Sequence, residues 1–147
     1  MTSQLEIDHR LVEDYILKLA LHGAYEATGV WRTVYSPEWV AATDQYAAWC
    51  AEAGLEVTRD AVGNVWGKLS GIDSGAASIV SGSHIDSQKP GGRYDGALGA
   101  IAGLIAVKVL KEQFGQPRRT IEAVAFCEEE SSRFPSANFW GSRAITG

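Results

Sequence analysis

Residues 77–100 read ASIVSGSHIDSQKPGGRYDGALGA, and the parsing of this stretch decides the fold. Ala77 to Ser83 is a short apolar run of the length of a buried strand. The polar segment Gly82-Ser83-His84-Ile85-Asp86-Ser87 closes it. A glycine-rich loop, Gly91-Gly92-Arg93-Tyr94-Asp95-Gly96, then leads into a helical pattern that runs from Asp95 to about Phe114. Leu98, Ile101, Leu104, Ile105 and Val109 are its apolar positions. Thr120 to Cys127 is a further strand. Strand, loop, helix, strand is the order of an α/β unit, and it predicts parallel pairing at the centre of the sheet.

The flanking sequence fits the same class. From Asp8 to Leu21, Leu11, Tyr15 and Leu19 recur at helical spacing, and Gly23 follows as a stop. Ser36-Pro37-Glu38-Trp39 reads as an N-cap with proline in the first turn of a second helix, which ends at Gly54. Leu55–Asp60 and Asn64–Leu69 alternate as strands around a turn at Val62-Gly63-Asn64. Ile72 to Ala77 is a loop. The expected fold is α/β, with a mixed, largely parallel central sheet flanked by helices. No repeat, low-complexity segment or linker divides the chain.

Composition narrows the class of function. The chain has 147 residues, enough for one domain with a sizeable core. At 46% hydrophobic and 21% charged it reads as globular. A net charge of −5, from 13 basic and 18 acidic residues, argues against nucleic acid as a partner. No apolar run approaches the roughly 20 residues of a membrane helix, and the start, Met1 to Asp8, lacks the pattern of a signal peptide. Cys50 and Cys127 are too few for a disulfide framework, so a reduced, cytoplasmic setting is expected. Cys127 lies in an apolar run and reads as an inert buried thiol rather than a nucleophile. The five tryptophans read as packing residues.

In open α/β sheets, sites form beyond the carboxyl ends of the strands. One such end carries His84 and Asp86, and the other carries Glu128-Glu129-Glu130. Three adjacent carboxylates after an apolar run need either water or a cation. If the two strands are neighbours, His84, Asp95 and the glutamates converge on one patch. Imidazole with carboxylates is a donor set suited to Zn²⁺ or Mn²⁺. Asp86 is placed to accept the proton on the second imidazole nitrogen. Taken singly, each feature has an ordinary use: a structural histidine, a tight turn, an N-cap at Asp95, a solvated acidic edge. Their coincidence favours a metal site over a binding module without chemistry.

Together, Gly82–Ser87, Gly91–Gly99 and Glu128-Glu129-Glu130-Ser131-Ser132-Arg133-Phe134 resemble the M20 metallopeptidase superfamily. Within it they are similar to the amidohydrolase branch of allantoate amidohydrolases and N-carbamoyl-L-amino-acid hydrolases. Tyr35-Ser36-Pro37-Glu38-Trp39 and Asp60-Ala61-Val62-Gly63-Asn64 extend the likeness. The resemblance implies a zinc-exopeptidase-like catalytic domain holding two divalent ions, Mn²⁺ or Zn²⁺. His84 would bind one ion, Asp95 would bridge both, and Glu130 would bind the other. Glu129 would be the general base, Asp86 would orient His84, and Glu128 would support the loop. The implied reaction is hydrolysis of a linear amide or ureido C–N bond. Allantoate is the first choice of substrate, giving ureidoglycine or ureidoglycolate, ammonia and CO2. An N-carbamoyl-L-amino acid is the alternative, as is an inactive remnant that folds and binds metal weakly.

Two departures bear on this. Ser131 stands where the family usually has glycine. Family members are also much longer, and they take two further histidine ligands, most substrate contacts and a dimerisation domain from later sequence. Residues 1–147 are therefore expected to be the amino-terminal part of a catalytic domain, with weak metal binding and little turnover alone. The full-length protein is expected to be a homodimer with a small-molecule substrate and no membrane or nucleic-acid partner.

Overall fold

The structure, a computed structural model, describes residues 5–147. Met1 to Gln4, where the sequence read as lacking a leader begins, lie outside the described residues.

Local sequence sets the helix boundaries. Asp8 caps α1 (His9–Ala20) by accepting the Arg10 N–H, and Ser36 caps α2 (Pro37–Glu52) by accepting the Trp39 N–H. The Ser36 cap lies where the sequence predicts it, and α1 starts where its helical spacing begins. α3 spans Ala97–Phe114 and starts two residues later than expected, because Gly96 at φ 66° and ψ −51° leaves the helical path. Among the described residues no side chain caps α3, so the Asp95 carboxylate is not used there. A short α4, Trp140–Thr146, ends the chain.

Four strands form the main sheet in the order β3-β4-β7-β5: β3 is Glu56–Arg59, β4 Val65–Leu69, β5 Ile79–His84 and β7 Ile121–Phe126. The Asp60 carboxylate accepts the N–H groups of Val62, Gly63 and Asn64, which closes a tight turn and makes β3–β4 an antiparallel hairpin. β4–β7 is antiparallel as well. Parallel pairing is confined to β5–β7, joined across α3. The sheet is mixed, as expected, with less parallel pairing than the strand–helix order suggested. Three two-residue strands, β1 (Ala24–Tyr25), β2 (Gly29–Val30) and β6 (Gly91–Gly92), form a second, small sheet.

One core joins α1, α2 and α3 to the inner face of the sheet. Leu19, Tyr46, Val65, Ile101, Leu104 and Ala125 are almost fully buried in it. Tyr15 stacks on Trp49 at 4.1 Å between ring centroids, and Trp39 is buried too. Trp31 and Trp140 stay partly exposed and are not core residues. β5 departs from the buried strand expected at 77–83. Ile79 and Val80 are 46% and 44% exposed, because β5 is the edge of the sheet. Its contact with α3 is close: a Cβ on Gly103 would lie 2.9 Å from the Ser81 carbonyl oxygen, and one on Gly99 2.7 Å from Ser83 Cβ. The helix backbone therefore rides on the strand that ends in His84.

Candidate metal centre

Parallel pairing puts His84 opposite Phe126. The carboxyl ends of both strands thus open at one place, and the loops that follow them meet. The small sheet brings in the third contributor: β6 pairs with β2, Gly91 against Val30, in the loop that leads to Asp95. One ligand atom each from His84, Asp95 and Glu130 lies within 4.8 Å of the others. Glu129 joins this group, with Oε2 3.5 Å from His84 Nε2; Asp95 Oδ1 is 3.8 Å from the same nitrogen. His84 is buried, Glu129 and Glu130 are half-buried, and Asp95 is exposed. The cluster therefore faces solvent on the Asp95 side.

The loop after β7 separates the three glutamates. Glu128 at φ 49° and Ser131 at φ 51° both take left-handed backbone, which turns the chain sharply. Glu128 points inward and is fully buried; its Oε1 accepts the Phe134 N–H at 2.8 Å, while Oε2 has no partner among the described residues. Burial raises its pKa, against the pull of the Phe134 amide. Glu129 and Glu130 point the other way, toward His84. Burial raises the Glu130 pKa, opposed by the Gln88 side-chain amide, which donates to its Oε2.

Asp86 is 1% exposed, and its carboxylate does something the sequence did not suggest. Oδ1 accepts the Glu129 N–H at 3.2 Å and Oδ2 the Glu130 N–H at 3.1 Å. It thereby holds both glutamates' backbones. The expected partner, His84 Nδ1, is 3.6 Å from Oδ1, whereas the backbone oxygen of Asp86 is 3.0 Å from it. A carbonyl only accepts, so this bond puts the imidazole proton on Nδ1 and leaves the Nε2 lone pair facing the carboxylates. Burial lowers the His84 pKa, but the Asp86 carboxylate and carbonyl and the Glu129 charge outweigh it, and the net shift is upward.

The structure thus brings His84, Asp86, Asp95, Glu129 and Glu130 together. His9 begins α1 and His22 follows it; neither belongs to the cluster. Cys127 is buried with its pKa raised to about 12 by burial, and Cys50 likewise, so neither thiol is a ready nucleophile. Three supporting residues escaped the sequence reading. Asn64 is fully buried: its amide donates to Asp60 and to the Gly141 carbonyl, and its Oδ1 accepts the Cys127 N–H. Gln88 contacts Glu130. Arg32 is a buried cation whose pKa burial lowers to about 10. Arg32 left a trace in sequence as a lone charge among Val30, Trp31 and Val34, and Asn64 only as the end of the Asp60–Asn64 motif.

An α/β sheet whose strand ends gather imidazole and carboxylates in one solvent-facing cluster has the layout of a metallopeptidase-type domain. The family model for Peptidase family M28 matches residues 64–146, and the chain belongs to that family. The matching model is that of M28, where the motifs resembled M20. The relatives are amidohydrolases of the expected branch. The chain is 48% identical to an allantoate amidohydrolase of Bacillus subtilis, over 92% of this chain and 33% of that protein. It is 41% identical to an N-carbamoyl-L-amino-acid amidohydrolase of a Pseudomonas species, over 90% of this chain and 32% of that one. The crystal structure of a hydantoinase/carbamoylase family amidase from Burkholderia ambifaria superposes with a TM-score of 0.85 at 36% identity, over 89% of this chain and 32% of that chain. The chain therefore spans about a third of the length of the relatives it matches. Among the described residues, no helix is long and apolar enough to cross a membrane.

Proposed function

We propose that this chain is the amino-terminal catalytic part of a metal-dependent amidohydrolase that cleaves a linear amide or ureido C–N bond, with allantoate as its substrate. One observation carries the reading: the donor atoms of His84, Asp95 and Glu130 lie within 4.8 Å of one another, with the Glu129 carboxylate beside them. The donor set fits a divalent ion. The imidazole offers Nε2, the Asp95 carboxylate is not used as a helix cap, and the mixed nitrogen and oxygen donors suit Zn²⁺ or Mn²⁺. His84 would hold one ion, Glu130 a second, and Asp95 both. Bound ions would supply Lewis acidity, lowering the pKa of water and polarising the scissile carbonyl.

The chain's own residues then do three things. Glu129 takes the proton of the attacking water and returns it to the leaving nitrogen. The Asp86 carboxylate fixes the Glu129 and Glu130 backbones, so base and ligand keep their spacing. The Asp86 carbonyl keeps the His84 proton on Nδ1. Remaining ligands and substrate contacts would come from polypeptide corresponding to the rest of the relatives' length, and a homodimer in the cytoplasm suits the whole protein.

Ammonia release from allantoate by the full-length protein with Mn²⁺, beside an N-carbamoyl-L-amino acid, tests this. Release from allantoate is the expected result. Release only from the carbamoyl compound keeps the mechanism and replaces the substrate. Silence with both, in a protein that still binds metal, would refute the proposed reaction and leave the inactive-remnant reading.

A further inference from the structure

Arg32 is 1% exposed, yet none of its hydrogen bonds among the described residues goes to a carboxylate. A buried charge is costly unless its donors are satisfied, so the choice of acceptors is informative. Nη1 donates to the carbonyls of Leu19, at 2.8 Å, and His22, at 3.3 Å. These lie at the carboxyl end of α1, where the helix dipole favours a cation. Nε donates to the Ile85 carbonyl at 2.6 Å. The backbone of Arg32 is used as well: its N–H donates to Ser87 Oγ at 2.9 Å, and its carbonyl accepts the Ser87 N–H at 3.1 Å.

Ile85 and Ser87 flank Asp86, so the Arg32 side chain holds the Ile85–Asp86 peptide and the Arg32 backbone holds the Asp86–Ser87 peptide. The second peptide is the one that reaches His84. Its N–H goes to Arg32, and its C=O, on the opposite side of a planar unit, takes the proton of His84 Nδ1. Rotating that peptide would break both bonds together. With the peptides on both of its sides held, the Asp86 Cα–Cβ direction is fixed, and with it the carboxylate that accepts the Glu129 and Glu130 amides.

We propose that Arg32 is the positioning residue of the centre: it locks the peptides around Asp86, and through them the tautomer of His84 and the placement of Glu129 and Glu130. This rests on reading His84 as a metal ligand. Arginine is needed because its planar fork satisfies the α1 carbonyls and the Ile85 carbonyl at once, whereas a lysine ammonium is a single point on a flexible stem.

The test is Arg32→Lys, which keeps the charge and the backbone bonds to Ser87 and loses the fork that holds the Ile85 carbonyl against the end of α1. Two measurements are made on the full-length protein, with circular dichroism and melting temperature as controls. The first needs no metal: ¹⁵N spectra of the imidazoles at alkaline pH report the tautomer of His84. The second is calorimetric titration with Zn²⁺. The wild-type protein should show a single Nδ1–H tautomer. The variant should show a mixture and bind zinc about tenfold or more weakly, the range typical of residues that orient a ligand. An unchanged tautomer with unchanged zinc affinity, in a variant that merely melts earlier, would overturn the proposal and make Arg32 a packing residue. If Arg32→Lys does not fold, Ser87→Ala removes the acceptor of the Arg32 N–H and loosens the same clamp from its backbone side, and an unchanged tautomer and affinity there overturn the proposal equally. A wild-type protein with one tautomer and no zinc binding would sink the metal reading alone, and the tautomer comparison would still decide the clamp.

Discussion

The Cα of Gly96 lies directly against the imidazole of His84: a Cβ added there would sit 2.5 Å from both ring nitrogens. Gly96 also holds φ 66° and ψ −51°, a γ-turn-like conformation that is strained for any residue with a side chain. Gly96→Ala therefore meets two obstacles, a backbone cost of roughly 1–3 kcal/mol and a collision with the ligand ring. The ring is buried and held by the Asp86 carbonyl, whereas Asp95 and Gly96 are exposed or half-buried; whichever gives way, the spacing between His84 and Asp95 changes. We expect helix content by circular dichroism to be retained and zinc affinity to fall at least tenfold. Full affinity in this variant would show that the ring does not need its present place.

Asp95→Ala separates the site from the fold. Its carboxylate caps nothing, and its side chain is exposed, so stability should change by less than about 0.5 kcal/mol. With Asp95 in its proposed bridging role, metal content should fall at every site. Elemental analysis after dialysis, set beside a urea melt, checks both halves. Retained metal stoichiometry would remove the bridging role.

Glu129→Gln keeps shape and loses basicity. The Glu129 backbone stays held by Asp86, so metal content and melting temperature should match the parent. Ammonia release by the full-length protein should drop by at least about a hundredfold, the scale of a general base. A variant with the parent rate would mean that another group takes the proton.

How far sequence alone reached depends on the distance between cause and effect. Ser36 and Pro37 act on the next turn of chain, and the start of α2 was legible from them, as the start of α1 was from its apolar spacing. His84 and the glutamates were legible because each follows an apolar run, where polarity changes abruptly. Their meeting depended on β5 lying beside β7, which the connecting helix made the natural pairing. The exposure of β5 was not legible, since apolar composition says nothing of which strand lies at an edge. Nor was the use of Asp86. Two residues from His84, it could offer the ring either its carboxylate or its carbonyl, and the choice was made by the Glu129 and Glu130 amides, 43 and 44 residues away. β1, β2 and β6 are two residues each, too short to alternate.

Asn64 should be as important to stability as any core side chain. Its truncation to alanine leaves the Cys127 N–H and the Gly141 carbonyl buried without their present partner. At about 1–3 kcal/mol for each orphaned group, Asn64→Ala should cost roughly 3 kcal/mol in urea unfolding. A loss below about 1 kcal/mol would show that water replaces the amide.

The pH dependence follows from the direction of the His84 shift. Burial alone would lower its pKa, but Asp86 and Glu129 hold it above 6.5 in the metal-free fold. The folded state thus binds the proton more tightly than the unfolded chain. That stabilisation is fully present below pH 6.5 and is lost as pH rises through the folded value. Metal binding runs the opposite way, because the ion needs the neutral ring. Zinc affinity should therefore rise with pH across the same window, with protons released on binding. The raised Glu130 pKa adds to that release toward the acid side. Titrations in two buffers of different ionisation enthalpy count the protons. A count that stays at zero from pH 6.5 upward through neutrality would mean that His84 is already neutral, and that the carboxylates around it do not outweigh its burial.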